Sequence, residues 1–204
     1  MSADIARGFE LGRRGSARVD VLYEGYHGRS DHRVAPTVAL IRDTGAVIVV
    51  DPGMVPSPAA ILSPLASLGL DANVVTDVVF SHHHPDHTLS AALFPDAAFH
   101  DHWAVYRHDL WQDCDAEGFS ISPNVGLIRA PGHSAEDIAT LAWTDRGLVV
   151  FTHAWWTAKG PAVDPYAVDP EALHRSRARI LDFRPYLIVP GHGSAFAPSA
   201  DTPL

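Results

Sequence analysis

Apolar and polar residues alternate over several short stretches of the chain, and this period of two predicts β-strands. Residues 18–26 and 37–51 show the pattern early, and the "DTG" at 43–45 lies between two apolar runs, as in a hairpin turn. Residues 123–151 supply three more predicted strands, separated by the turn sequences "PGHS" and "TDRG". The chain is therefore predicted to be rich in sheet in both halves.

Helical spacing appears once in each half. In residues 57–70 the apolar positions recur at helical intervals, with Pro64 expected to kink the helix or delay its start and Gly69 to end it. In residues 168–183, Asp169 is a predicted N-cap followed by a proline. Two strand-rich halves, each with a helix, predict two similar layers packed face to face.

Length and composition fit this arrangement. The 204 residues, 47% hydrophobic and 19% charged, predict a single domain over 1–204. No stretch approaches the roughly 20 apolar residues of a membrane span, and the opening residues lack the apolar core of a secretory signal. We expect a cytoplasmic protein with no membrane partner. Because Cys114 is the only cysteine, any metal must be held by nitrogen and oxygen ligands.

The charge pattern bears on possible partners. Lys and Arg number 15 against 24 Asp and Glu, so the formal net charge is −9. The basic cluster at 174–179 has the spacing of a solvated helix surface. Nucleic acid is therefore not favoured as a partner, and a small-molecule substrate is expected.

The highest concentration of possible metal ligands is in "SHHHPDH" (residues 81–87), which directly follows a predicted buried strand. His82 and His84 are alternate residues of an extended segment, so both side chains can bind one ion. Asp86 and His87 follow where the chain enters a predicted helix, and they can address a second ion nearby. The spacing H-x-H-x-D-H is far more specific than an isolated histidine.

Two further histidines occur in matching settings. His133 in "APGHS" and His192 in "VPGHG" each follow an apolar strand and a Pro-Gly turn, and each precedes a small residue. Single turn histidines are usually exposed, but two copies of one local pattern indicate metal ligands.

These motifs together resemble the metallo-β-lactamase-fold hydrolase superfamily over roughly residues 20–196. Within it, "EGY", "VVDPG" and "RSRARILDF…VPGHGSAF" are most similar to the metallo-β-lactamase domain-containing protein 1 group. The resemblance implies an α+β fold, an αββα sandwich of two mixed sheets with helices outside and the metals at one sheet edge.

The resemblance also implies a division of the ligands. The first metal site would comprise His82, His84 and His133, and the second Asp86, His87 and His192. Asp51 in "VVDPG" matches a buried aspartate that orders the H-x-H loop, although "DPG" also suits an ordinary turn.

One position departs from the family pattern. Many relatives have a metal-bridging aspartate where this chain has Ala154 in "VVFTHAWW". Alanine cannot bind metal, and strand alternation directs the preceding His153 to the opposite face, so ligation by His153 requires a bulge. The second site is therefore expected to be the weaker one, and the chain to use one ion or two of unequal affinity.

The predicted activity is that of a metallo-hydrolase using a zinc-bound hydroxide on a small ester, thioester or lactone. Asp86 would orient the nucleophile or take its proton, and His192 would bind the second ion or stabilise negative charge. Zinc is the default for nitrogen-rich sites, with manganese and iron as alternatives. Aromatic residues in 102–122 and 154–168 are expected to line a part-apolar pocket.

Two alternatives remain open. The first is a phosphodiesterase or ribonuclease of the same fold, which the narrower resemblance implies. RNA-processing members usually carry an added domain and a basic surface, and neither is evident. The second is a non-catalytic metal-binding module.

Overall fold

The computed structural model describes residues 16–28 and 30–204, in which two β-sheets pack face to face. The larger sheet has seven strands, in spatial order β1 (Arg18–Tyr23), β4 (Val38–Asp43), β5 (Ala46–Val50), β6 (Asp77–Val79), β7 (Ala98–His100), β8 (Ala104–Arg107) and β9 (Leu110–Asp113). A separate two-stranded ribbon comprises β2 (Tyr26–His27) and β3 (Val34–Ala35). In the larger sheet β5, β6 and β7 run parallel, and the other pairs are antiparallel.

The smaller sheet has five strands, in spatial order β10 (Ser120–Ser122), β11 (Val125–Arg129), β12 (Ile138–Thr144), β13 (Gly147–Thr152) and β14 (Leu187–Pro190). Its β13–β14 pair is parallel, and its other pairs are antiparallel. Both sheets are thus mixed, as expected.

Within the described ranges, three helices accompany the sheets: α1 (Ala59–Ser67), the single turn α2 (Pro85–Thr88) and α3 (Pro170–Asp182). Two 3₁₀ turns occupy Ala72–Val74 and Ala91–Leu93. The α1 helix begins at Ala59 and contains Pro64, so of the two effects expected of this proline, a kink or a late start, the late start is wrong. The chain leaves the helix near Gly69, which has a φ of +76°. The predicted N-cap of α3 is present, since the Asp169 carboxylate accepts a hydrogen bond from the Ala172 N–H at 2.9 Å.

Strand alternation explains why the layers form. In β4, Ala39 and Ile41 face the smaller sheet, whereas Val38 and Leu40 belong to the cluster that packs on α1. The same alternation occurs in β13 of the smaller sheet. Val149 and Phe151 face the layer between the two sheets, whereas Leu148 and Val150 belong to the hydrophobic cluster beneath α3. Each sheet therefore buries both faces, and the order of layers is helix, sheet, sheet, helix.

Residues 102–122, whose aromatic residues are expected to line a pocket, contribute mainly to the two sheets. They form the β8–β9 hairpin, which extends the larger sheet, and the edge strand β10 of the smaller sheet. Trp111 lies on this hairpin, stacked on Tyr106 with ring centroids 5.2 Å apart. No helix within 16–28 and 30–204 is long and apolar enough to cross a membrane.

Candidate metal centre

Histidines from both sheets meet at one edge of the sandwich. His82 follows β6, His133 follows β11, His153 follows β13 and His192 follows β14. Because β5 and β6 are parallel to each other, as are β13 and β14, their carboxyl ends reach the same edge. Three groups of residues can be defined in which the donor atoms of each group lie within 4.8 Å of one another. Some residues belong to two groups, and the groups are His82, His84 and His133; Asp86, His87 and His192; and His82, His87 and His153.

The first donor set, His82, His84 and His133, has the spacing of metal ligands. His84 Nδ1 lies 2.9 Å from His82 Nε2 and 3.1 Å from His133 Nε2. Four ligands held at about 2.0–2.1 Å from one zinc ion stand about 3.3 Å apart in a tetrahedron. The three nitrogens therefore fit around one ion with little movement.

Hydrogen bonds fix which nitrogen of each ring faces the centre. Ser81 Oγ donates to Asp51 Oδ2 at 2.7 Å, so it accepts from His82 Nδ1 at 3.0 Å. His133 Nδ1 donates to Asp164 Oδ2 at 2.8 Å. Both rings therefore turn an Nε2 lone pair toward His84, and such outer partners are what orient metal-binding histidines.

The second donor set, Asp86, His87 and His192, is held in the same way. His87 Nδ1 lies 2.9 Å from Asp51 Oδ2, and His192 Nδ1 donates to the Ala35 carbonyl at 2.9 Å. The Nε2 atoms of His87 and His192 lie 3.4 and 3.6 Å from Asp86 Oδ2. His87 Nε2 is buried with no hydrogen-bond partner among the described residues. A buried lone pair of this kind fits a cation.

Asp51 joins the two sets. It is buried, and its carboxylate accepts hydrogen bonds from the Ser81 N–H at 2.7 Å, the Ser81 hydroxyl and the His87 ring. Its φ of +52° belongs to a region that aspartate tolerates better than most residues. The structure therefore favours the ordering role of Asp51 over that of an ordinary turn residue.

The glycine of "DPG" permits this approach. A Cβ on Gly53 would lie 1.7 Å from the Asp86 carbonyl oxygen, so no larger residue fits without moving the metal-binding loop. The Gly of "VPGHG" has a similar place, because a Cβ on Gly191 would lie 2.4 Å from His153 Cδ2.

His153 lies in the centre, contrary to the orientation expected from strand alternation. Because β13 ends at Thr152, alternation no longer governs the residue that follows. The His153 ring is buried, and its Nε2 lies 3.0 Å from His192 Nε2. Ala154, which brings no donor atom, packs in the hydrophobic cluster beneath α3.

Burial keeps most of these imidazoles neutral, the form that binds metal. Burial and the neighbouring histidines hold the pKa values of His82 and His153 well below the ordinary range, and burial lowers that of His192 to about 4. Burial also depresses the pKa of His87, but the Asp51 carboxylate outweighs this effect and the pKa is raised. Burial raises the pKa of Asp137, whose carboxylate lies 3.8 Å from His82 Nδ1, to about 7.

A pocket of about 400 Å³ opens over the centre. Its lining comprises His27, Val34, His84, Asp86, His133, His153, Trp156, Tyr166 and His192. The Trp156 ring is tilted against His27, with centroids 4.6 Å apart, and stacked on Tyr166, with centroids 5.7 Å apart. This confirms an aromatic wall from 154–168.

The other predicted aromatic residues are placed differently. Trp155 is buried in the core and donates to the Pro203 carbonyl, Phe119 packs against the central layer, and Trp103 stacks on His83. None of these three lines the pocket. His83 itself is exposed, and its Nε2 lies 3.0 Å from Asp101 Oδ2.

Sequence reasoning missed Asp164. Its buried carboxylate accepts hydrogen bonds from His133 Nδ1 at 2.8 Å, from Trp156 Nε1 at 3.2 Å and from the Tyr166 N–H at 2.9 Å. One carboxylate thus positions both His133, a member of the first donor set, and the aromatic wall. It lies in an irregular segment, where no local pattern marks it.

Comparison with known proteins agrees with this geometry. The sequence profile of the metallo-beta-lactamase superfamily matches residues 33–154. The chain is 31% identical over 193 residues to metallo-beta-lactamase domain-containing protein 1 of Mus musculus, covering 86% of this chain and 73% of that protein. Against the Homo sapiens protein of the same name, identity is 32% over 184 residues, which cover 82% of this chain and 68% of that protein.

Solved structures show the same fold at lower identity. A quorum-quenching N-acyl homoserine lactone lactonase superposes with a TM-score of 0.65 at 18% identity, covering 87% of this chain and 92% of its own. The chemotaxis sensor ODP, whose structure contains a peroxy diiron species, superposes with a TM-score of 0.66 at 16% identity, covering 92% of this chain and 88% of its own. The αββα sandwich is confirmed, and the chain belongs to the metallo-beta-lactamase superfamily.

Proposed function

We propose that this protein is a metal-dependent hydrolase acting on a small, uncharged acyl substrate: an ester, thioester or lactone. The observation that carries the proposal is the convergence of the three imidazole nitrogens of His82, His84 and His133 at the floor of a part-aromatic pocket. Three protein ligands with a remaining free position are typical of catalytic zinc.

The donor sets fit the metal that the superfamily implies. His82, His84 and His133 would hold the first ion, and Asp86, His87 and His192 the second. Nitrogen-rich ligands favour zinc, and manganese or iron would be the alternatives. When bound, the metal supplies a Lewis acid that polarises a carbonyl and lowers the pKa of a water ligand to about 7.

The remaining chemistry belongs to the side chains that line the pocket. The Asp86 carboxylate, partly exposed there, is placed to orient the attacking water and accept its proton. His192 already donates its Nδ1 proton to Ala35, so it turns a lone pair toward the centre. It is therefore suited to bind metal rather than to donate a hydrogen bond to an oxyanion.

The pocket's lining favours an acyl substrate over a phosphodiester. No Lys or Arg of the described chain lines it, and Val34, Trp156 and Tyr166 form its apolar part. A nucleic acid would need cationic side chains to hold its backbone. The lactonase with the same fold offers a precedent for acyl cleavage on this scaffold.

A substrate panel tests the proposal. Chromogenic esters, thioesters, lactones and phosphodiesters would be incubated with zinc-, manganese- or iron-loaded protein and with chelator-treated protein. We expect saturable acyl cleavage that disappears on chelation and returns with metal, and that persists in His174→Ala, which removes an exposed histidine of α3.

Two results would overturn it. Phosphodiester cleavage without acyl cleavage would assign the nuclease alternative. No cleavage of any class, together with tight metal binding, would assign the non-catalytic metal-binding module.

A further inference from the structure

We propose that the centre binds two divalent cations in unlike positions: His153 closes the second as a fourth protein ligand, and the first remains open. The inference rests on the metal dependence proposed above, but not on the identity of the substrate. It replaces the expectation that the lost aspartate leaves the second position the weaker one.

The contact between His153 and His192 carries the assignment. The proton of His192 lies on Nδ1, because its partner there is the carbonyl of Ala35, which can only accept. The Nε2 lone pair of His192 therefore faces His153 Nε2 at 3.0 Å. This spacing matches the 2.9 and 3.1 Å between the nitrogens of the first set. Two facing ligands at this distance fit one shared ion.

His153 borders both donor sets. Its donor atom lies within 4.8 Å of those of His82 and His87, and the donor atoms of His87, His192 and Asp86 lie within the same distance of one another. Among the described residues, the ring nitrogen within hydrogen-bond distance of His153 is that of His192, so we assign His153 to the second position as its fourth donor. Three of the four residues are buried and Asp86 is partly exposed. Four protein ligands are typical of a closed site, whereas three leave a position for water.

Charge balance supports two ions. Three carboxyl groups lie beside these imidazoles, those of Asp51, Asp86 and Asp164, and their side chains are 1–17% exposed. Their ion-pair partners within 4.0 Å among the described residues are histidines, never Lys or Arg. Buried carboxylates need positive charge nearby, and two divalent cations would supply four units.

The first position should exchange faster. His84, one of its three ligands, is exposed to solvent, whereas His87, His153 and His192 are buried. The pocket is lined by residues of both positions, among them His84, Asp86 and His192. Because only the first position has an exposed ligand, we expect the first ion to leave before the second.

Metal content measures the proposal directly. Protein dialysed against a weak chelator would be analysed for zinc per chain by mass spectrometry, and the affinities obtained by competition with a chelating dye. We expect two ions in the full chain and in His174→Ala, and one in His153→Ala. Loss of an outer partner alone costs about 10–100-fold in affinity, so the loss of a ligand should exceed that. His153→Asp, which restores an anionic donor, should retain two ions.

Each other outcome is informative. Two tight ions in His153→Ala would show that His153 merely donates a hydrogen bond to His192, and one ion in the full chain would remove the second position. Circular dichroism separates misfolding from ligand loss, with His153→Asp as the second variant. If metal content follows the expectation but no acyl substrate is cleaved, this inference stands and the proposed function fails.

Discussion

The two donor sets at the sheet edge differ in how they meet solvent. The first, His82, His84 and His133, joins the two sheets and includes an exposed ring, that of His84. The second places His87 and His192 below the surface, each with its outer nitrogen tied to a carboxylate or a carbonyl. If both sets bind metal as proposed, the same loops would form one position suited to exchange and one suited to retention. We therefore expect the reactive metal position to be the one that includes the exposed His84 ring.

The largest effect is expected from His84→Ala. Removing the exposed ligand should abolish acyl hydrolysis and reduce zinc to one ion per chain, because the second set is untouched. The outward-facing neighbour supplies the control, since His83→Ala removes a ring bonded to Asp101 and should keep both ions. Activity retained by His84→Ala would show that the first set is misassigned.

A broader but smaller effect is expected from Asp51→Asn, which tolerates the same backbone conformation. The amide removes the charge that holds Ser81 and His87, so both positions should weaken, each by about 10–100-fold. Dye competition would give the two affinities. Asp77→Asn is a matched control, because Asp77 contacts His100 in the larger sheet. A loss of metal affinity at only one of the two positions would show that Asp51 does not order both donor sets.

Asp164→Asn should separate the sets. Its carboxylate contacts His133 but no member of the second set among the described contacts, so about a tenfold loss is expected at the first position alone. KM should rise as well, because Trp156 loses its charged acceptor. Equal weakening of both positions would contradict the assignment.

Acid should act on both sets alike. The folded-state pKa values of His82 and His153 lie well below 6.5, and that of His192 is about 4. The stability they contribute to metal-free protein is present above about pH 6.5 and is lost as pH falls toward 4. The raised pKa values of His87 and Asp137 oppose this, but more imidazoles are lowered than raised. Urea unfolding between pH 4 and about 6.5 would measure how the free energy of unfolding changes with pH. A free energy that does not change over this range would contradict the prediction.

Much of the fold and centre could be predicted from the sequence, because the signals are local. Alternation in β4 and β13 is set by backbone geometry, and H-x-H-x-D-H places its donors within one loop. The resemblance supplied the pairing of distant motifs, such as His84 with His133.

What could not be predicted depends on contacts between distant segments. His153 stands one residue beyond β13, where its direction is set by Gly191 and His192 rather than by strand period. Asp164 lies 31 residues from the histidine it holds. The β8–β9 hairpin was missed because short, exposed strands carry a weak apolar pattern.

The shared carboxylate of Asp164 constrains how the protein could acquire new substrates. A mutation at Trp156 alters the wall of the pocket and also frees an acceptor that orients His133. If the proposed function holds, mutations at Trp156 should change substrate range and metal affinity together. The Val34 and Tyr166 side chains line the same space, and the hydrogen bond of Tyr166 to Asp164 comes from its backbone N–H, which a change of side chain retains. Laboratory evolution should therefore gain specificity most readily at those two sites.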